Sequence, residues 1–234
     1  MDQILNLARY PILIKDLTDI IDCDSVRKNV SQLKLIENLE NNITEEKDMC
    51  KIPEFAQLRE ALKNESVDYL RNFWMDDPTH SFEDLQITES WANQSIKGES
   101  HHLHMHPFSV VSGVMFLNDT PDNLNLTFEN EVSSVPYWRS GVRRDYHQLS
   151  NIIDNDNETN LKNHIVLFLS TTGHLVAPVQ GDTPRVTISW NTFWKGRVGN
   201  TNSMGSEWGR NINADIVDNI GNYPGPRGGH VVFK

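Results

Sequence analysis

The sequence predicts an α+β fold that is mainly β: a jelly roll with N-terminal helices packed on one sheet. Three observations lead there. From about residue 85 the chain breaks into short apolar or alternating runs at 86–92, 101–106, 109–117, 124–128, 164–169, 174–179 and 184–193, separated by Asn, Asp, Gly and Pro, and that number of strands suits two packed antiparallel sheets. Ahead of them, Phe55, Leu58, Leu62 and Leu70 recur at helical spacing behind Pro53, so 53–74 is the firmest helix. The last strand, Arg185–Asn191, has two unlike faces. Val186, Ile188 and Trp190 make one apolar face, and Arg185, Thr187, Ser189 and Asn191 make a polar one.

Taken in order, Tyr10-Pro11-Ile12-Leu13-Ile14 reads as a first strand within a stretch, 4–75, that is otherwise mainly helical. Asp76-Asp77-Pro78 ends the firm helix, and the strand pattern follows. Residues 138–163 are charged and rich in Asn and Asp, with Arg143-Arg144-Asp145 and Asn155-Asp156-Asn157-Glu158. This is a long surface insertion, either a binding loop or a solvated one. The expected organisation is one domain over 1–198, with a helical part at 1–80 and the jelly-roll core at 81–198. An irregular Gly- and Asn-rich extension occupies 199–234.

Composition narrows the classes of function. At 234 residues the chain is long enough for one large core. A net charge of −11 argues against duplex nucleic acid as the main partner, because phosphate binding is driven by Lys and Arg. Cys23 and Cys50 have neither metal-ligand nor redox spacing, which fits a reducing compartment, the cytoplasm. No run approaches the length of a membrane span.

Chemistry concentrates in His101-His102-Leu103-His104-Met105-His106-Pro107, where four of the nine histidines fall within six residues. Strand alternation would put His102, His104 and His106 on one face and turn His101 away. Neutral imidazole is the commonest ligand for transition metals, and ligands at i and i+2 can meet one ion from a strand end. A solvated histidine-rich edge strand is the plainer reading. A further histidine, His174, follows a turn, and Arg185 comes eleven positions later. If the polar face of the last strand points into a barrel, Arg185 and Thr187 make a carboxylate-binding corner; if it points to water, the strand is an ordinary amphipathic one. His80, His147, His164 and His230 carry no pattern and read as surface or core.

Ser90-Trp91-Ala92-Asn93, His104-Met105-His106-Pro107, Ser112-Gly113-Val114, the Leu-Phe-Leu-Ser run ending at Ser170 and Arg185–Asn191 together resemble the 2-oxoglutarate and Fe(II)-dependent oxygenases. The likeness is to a bacterial and phage, prolyl-hydroxylase-like branch, and it covers about 86–194. It implies the double-stranded β-helix form of the jelly roll, with Fe(II) and 2-oxoglutarate as cofactors. It further implies His104, His106 and His174 as metal ligands, Arg185 with Thr187 on the distal carboxylate of 2-oxoglutarate, and hydroxylation of a substrate C–H bond with release of succinate and CO2. His106 stands where the family usually has Asp or Glu, which leaves a ferrous site one negative charge short. His102 is a competing ligand on the same predicted face. Trp91, Asn93, Trp138 and Arg143 are substrate-side candidates, for a small-molecule or peptide substrate. Two other classes use the same residues: a three-histidine cupin-type dioxygenase, such as a thiol dioxygenase, and a non-catalytic metal-binding jelly roll. The oligomeric state is not legible.

Overall fold

The computed structural model describes residues 3–7, 10–38, 40–74, 80–130, 145–152, 161–200 and 210–212. Its elements are β1 (Gln3–Leu7), β2 (Tyr10–Asp16), α1 (Cys23–Val30), β3 (Leu35–Glu37), β4 (Asn42–Thr44), α2 (Ala56–Phe73), β5 (His80–Ser95), β6 (His101–His104), β7 (Val111–Phe116), β8 (Leu126–Asn130), β9 (Asp145–Gln148), α3 (Leu149–Ile152), β10 (His164–Leu169), β11 (His174–Val176), β12 (Arg185–Asn200) and β13 (Arg210–Ile212). A large antiparallel sheet runs β1-β2-β10-β7-β12-β5-β4-β3, with β13 also on β12, and faces a small sheet, β6-β11-β8-β9. This is the jelly roll expected.

The pleat of the large sheet sorts its side chains into two cores. Ile165, Leu167, Met115, Ile188 and Trp190 point outward onto α2, together with Leu58, Leu62 and Leu70. Their neighbours Val166, Phe168, Val114 and Phe116 point inward, meeting Leu126 and Phe128 of the small sheet. Helix α2 is thus fastened to the back of the sheet that carries the site. Tyr69 donates its hydroxyl to the Pro11 carbonyl (2.7 Å), and Trp190 Nε1 donates to Ser66 Oγ (3.2 Å). Pro53 opens the short 3-10 turn leading into α2, as its fixed φ favours.

Two expectations need correction. The N-terminal stretch is not mainly helical, because β1 to β4 join both edges of the large sheet alongside α1 and α2. β2, the strand expected at Tyr10–Ile14, is buried on both faces, Leu13 in one core and Ile12 and Ile14 in the other, which is why it reads as a continuous apolar run. The stretch 138–163 is not wholly a surface loop either: β9 extends the small sheet by pairing with β8, and Leu149 and Leu161 are buried. Trp138 and Arg143 lie outside the described residues.

The Ser112-Gly113-Val114 motif has a packing cause. In register, Gly113 lies opposite Trp190, and a Cβ on it would fall 2.2 Å from Trp190 Cζ2. Only glycine leaves room there for the indole. Ser112 turns the other way, its Oγ 2.8 Å from Ser170 Oγ and donating to Asn191 Oδ1 (2.7 Å).

Candidate metal and cofactor site

A cleft of about 550 Å³, counting its open mouth, lies between the two sheets. His101, His104, His106, His174, Arg185, Thr187, Trp91 and Asn93 all line it. The polar face of β12 therefore points inward, the barrel alternative of the sequence reading.

At one end, β6 and β11 pair His104 directly with His174, with ring centroids 4.2 Å apart. His106 sits just beyond β6, its N–H held by the Ser170 carbonyl (2.8 Å), with its ring 5.0 Å from His104 and 5.3 Å from His174. One ligand atom from each of the three lies within 4.8 Å of the others. Two of the rings are held in a fixed tautomer. His104 Nδ1 donates to the His102 carbonyl (2.8 Å) and His174 Nδ1 to the Thr172 carbonyl (3.0 Å), so each keeps the lone pair on Nε2. Behind His106, Nδ1 is 3.4 Å from Asn191 Nδ2, and that amide also donates to Glu89 Oε2 (3.1 Å).

Burial, reinforced by repulsion among the rings, keeps these imidazoles neutral. It lowers His104 to about 4 and His106 to about 3, and holds His174 well below the ordinary range. Neutral imidazole is the ligating form.

Strand alternation mis-assigned His101. β6 carries one more residue than β11 between paired positions, since His104 faces His174 while His101 faces Val176. That bulge shifts the parity, so His101 turns to the cleft, 4.4 Å from His104 between centroids. His102 turns outward and its Nδ1 pairs with Glu40 (3.0 Å).

At the other end, Arg185 is 4% exposed and lies over the Phe116 ring (5.3 Å). Its Nε and Nη2 are buried and have no hydrogen-bond partner among the described residues. Burial, partly offset by the field of Asp122, lowers its pKa to about 10, which leaves it charged at neutral pH. Asp122 is already engaged, accepting the backbone N–H groups of Gln180 and Gly181 (both 2.9 Å). Leaving two buried guanidinium donors unpaired costs several kcal/mol in an apolar setting, at roughly 1–3 kcal/mol each or more. An anion entering the cleft removes that cost, and a carboxylate matches the fork. Thr187, equally buried, is two residues along the same face.

Trp91 and Asn93 belong to one polar chain on the wall: Trp91 Nε1 donates to Asn93 Oδ1 (3.1 Å), and Asn93 Nδ2 donates to Ser189 Oγ (3.0 Å). Sequence reasoning missed the roles of Asn191, Glu89 and Ser112 behind His106, and of Phe168, whose ring stands 4.7 Å from His174. Asn191 was visible on the polar face, but nothing in the sequence tied it to a histidine 85 positions away.

Residues 89–191 match the family model described as "Putative 2OG-Fe(II) oxygenase". That stretch, which contains all three clustered histidines and Arg185, is thus similar to the 2-oxoglutarate and Fe(II)-dependent oxygenases. Solved structures share the fold. HygX from Streptomyces hygroscopicus, with nickel and 2-oxoglutarate bound, superposes with a TM-score of 0.53 at 12% identity, over 77% of this chain and 82% of HygX. A 2OG-Fe(II) oxygenase family oxidoreductase from Burkholderia pseudomallei gives 0.52 at 9% identity, over 77% and 83%. The alpha ketoglutarate dependent epimerase SnoN from nogalamycin biosynthesis gives 0.57 at 11% identity, over 97% and 89%. No curated protein sequence matches the chain.

Proposed function

We propose that this enzyme hydroxylates an organic substrate, with His104, His106 and His174 holding Fe(II) and Arg185, assisted by Thr187, holding the distal carboxylate of 2-oxoglutarate. The observation that carries the reading is the buried Arg185 with two unpaired donors, in the same cleft as three neutral imidazoles. The donor set fits the cofactors: imidazole nitrogen suits iron, and the guanidinium supplies the counter-charge for a dicarboxylate. When bound, the pair supplies the oxidising chemistry, in which 2-oxoglutarate and O2 give succinate, CO2 and one oxygen atom for a substrate C–H bond.

The chain's own residues do the rest. The carbonyls of His102 and Thr172 orient two of the ligands, and Asn191 backs the third. Phe168, Phe128 and Val114 keep that part of the cleft apolar, which limits water at the reacting centre. Trp91 and Asn93 are the substrate-side candidates on the wall, and Arg143 is kept as one from the sequence. A small molecule or a peptide is the expected substrate. HygX with hygromycin B bound and SnoN with nogalamycin RO are small-molecule cases on the same fold. We further take 1–198 as the catalytic domain and 199–234 as an extension, and place the enzyme in the cytoplasm on its free, buried Cys23 and Cys50. A structural jelly roll would have no use for an unpaired buried arginine, and a thiol dioxygenase is told apart by having no dependence on 2-oxoglutarate.

The test is an anaerobic titration of 2-oxoglutarate into the iron-loaded protein, followed by its visible charge-transfer band. Removing one partner of a buried charge pair costs about 3–5 kcal/mol, so Arg185→Ala should weaken binding by roughly two to three orders of magnitude while iron stays bound. Arg185→Lys should recover only part, because an ammonium lacks the planar fork. Equal titrations for wild type and Arg185→Ala would remove the basis of the proposal.

A further inference from the structure

A second group of metal-ligating side chains stands at the rim of the cleft, separate from the three-histidine cluster. Glu40, His101 and His102 bring one ligand atom each to within 4.8 Å of one another. Glu40 sits in the turn joining β3 to β4, where Asn38 N–H donates to the Asn41 carbonyl (2.8 Å). Asn41 is buried and its side-chain amide donates to Asn93 Oδ1 (3.4 Å), which ties the turn to the cleft wall. From the other side, the backbone N–H of His102 donates to Glu40 Oε2 (2.6 Å), and His102 Nδ1 donates to the same oxygen (3.0 Å). The His101 and His102 rings are stacked, 5.0 Å apart and 16° from parallel. Two separate backbone segments are thus pinned together with two imidazoles and a carboxylate converging between them.

We propose that this rim is a second metal site, taking a divalent transition-metal ion such as Zn2+. The donor set of two nitrogens and one carboxylate oxygen suits a borderline ion and not Mg2+ or Ca2+, which prefer all-oxygen shells. Zinc–ligand bonds of about 2.0–2.2 Å need the ligand atoms to close in to roughly 3.4 Å. The side chains have freedom to do so, with His102 at 59% and Glu40 at 32% exposure. The ion takes the place of the hydrogen bond between His102 Nδ1 and Glu40, and the neutral ring then carries its N–H on Nε2. Three protein ligands leave a fourth position to water at the mouth. Because His101 also lines the cleft, the ion occupies the approach to the three-histidine centre.

The inference stands apart from the proposed iron site, and one set of calorimetric Zn2+ titrations on the full chain separates them. Wild type should take up two equivalents. Glu40→Gln and His102→Ala should take up one, with the rim step weakened at least about 100-fold, since even outer-shell changes cost 10–100-fold. His174→Ala should also take up one equivalent, with the rim step unchanged. A single equivalent in wild type, or wild-type titrations for both Glu40→Gln and His102→Ala, would overturn the rim site. Loss of one step in His174→Ala with both retained in Glu40→Gln would leave the three-histidine centre standing and remove only the rim. Both rim changes are at partly or largely exposed side chains, and unchanged far-ultraviolet circular dichroism checks that the variants fold.

Discussion

The two ends of the cleft are built differently. The imidazole end rests on a four-residue strand, β6, against a three-residue one, β11, with a register slip between them and one ligand beyond the strand end. The arginine end rests on a sixteen-residue strand, β12, laddered to β5 on one side and β7 on the other. A ladder with two neighbours fixes side-chain direction at every position. A short bulged pair does not, so the imidazoles take their orientation from individual hydrogen bonds to the carbonyls of His102 and Thr172 and from Asn191. One end is set by the sheet, the other by local contacts that a bound ion would complete.

Three measurements press on that contrast. The largest effect is expected at the imidazole end. His174→Ala should abolish iron binding at neutral pH, measured as metal content after anaerobic loading, whereas His101→Ala should retain iron despite its place on the cleft wall. Equal iron in both variants would show that the cluster is not the centre.

Next comes the long-strand sheet that carries the arginine, tested where β7 and β12 pack most tightly. Gly113→Ala drives a Cβ into the Trp190 indole, and overpacking of a dense core costs about 1–3 kcal/mol or more. A lowered urea midpoint with an unchanged slope is expected. An unchanged midpoint would mean that the sheet yields as easily as the bulged pair, and the contrast would fail.

The smallest effect concerns pH. His104, His106 and His174 have folded pKa values below the ordinary 6.5, so between about 6.5 and 3 the unfolded chain binds more protons than the folded one. Stability of the metal-free protein should therefore be full above about 6.5 and fall as pH drops through that window. Urea midpoints at pH 7.5 and 5 should differ more in wild type than in His174→Ala. Arg185, titrating near 10, should add nothing in this range.

What could be read from the sequence follows the same division. Alternation gave the two unlike faces of β12 correctly, because an unbroken ladder keeps the period of two from Arg185 to Asn191, but which face turns inward is set by the small sheet packed opposite. The same rule failed at His101 and His102, because a bulge is a property of the pair of strands and β6 alone does not reveal it. Of the N-terminal strands, β2 was legible as the continuous apolar run Tyr10–Ile14, whereas β1 was not anticipated and β3 and β4 are only three residues long. The pairing of Glu40 with His102 joins positions 62 apart through a turn that carries no metal-binding motif. Trp138 and Arg143 lie outside the described residues, so their proposed roles rest on the sequence.

The wedge of Trp190 over Gly113 also gives the molecule an optical reporter. Among the six tryptophans, Trp190 is fully enclosed on the outer face of the large sheet, and Trp91 is half-buried on the inner face with its ring 6.4 Å from His106. An indole sealed from water emits further to the blue than one near solvent, and a paramagnetic ion quenches the emission of a ring beside it. In variants keeping only one of these two indoles, Trp190 emission would shift to the red as the core opens, whereas Trp91 emission would dim as metal arrives. The same sheet would then signal its own unfolding from one side and the filling of its cleft from the other.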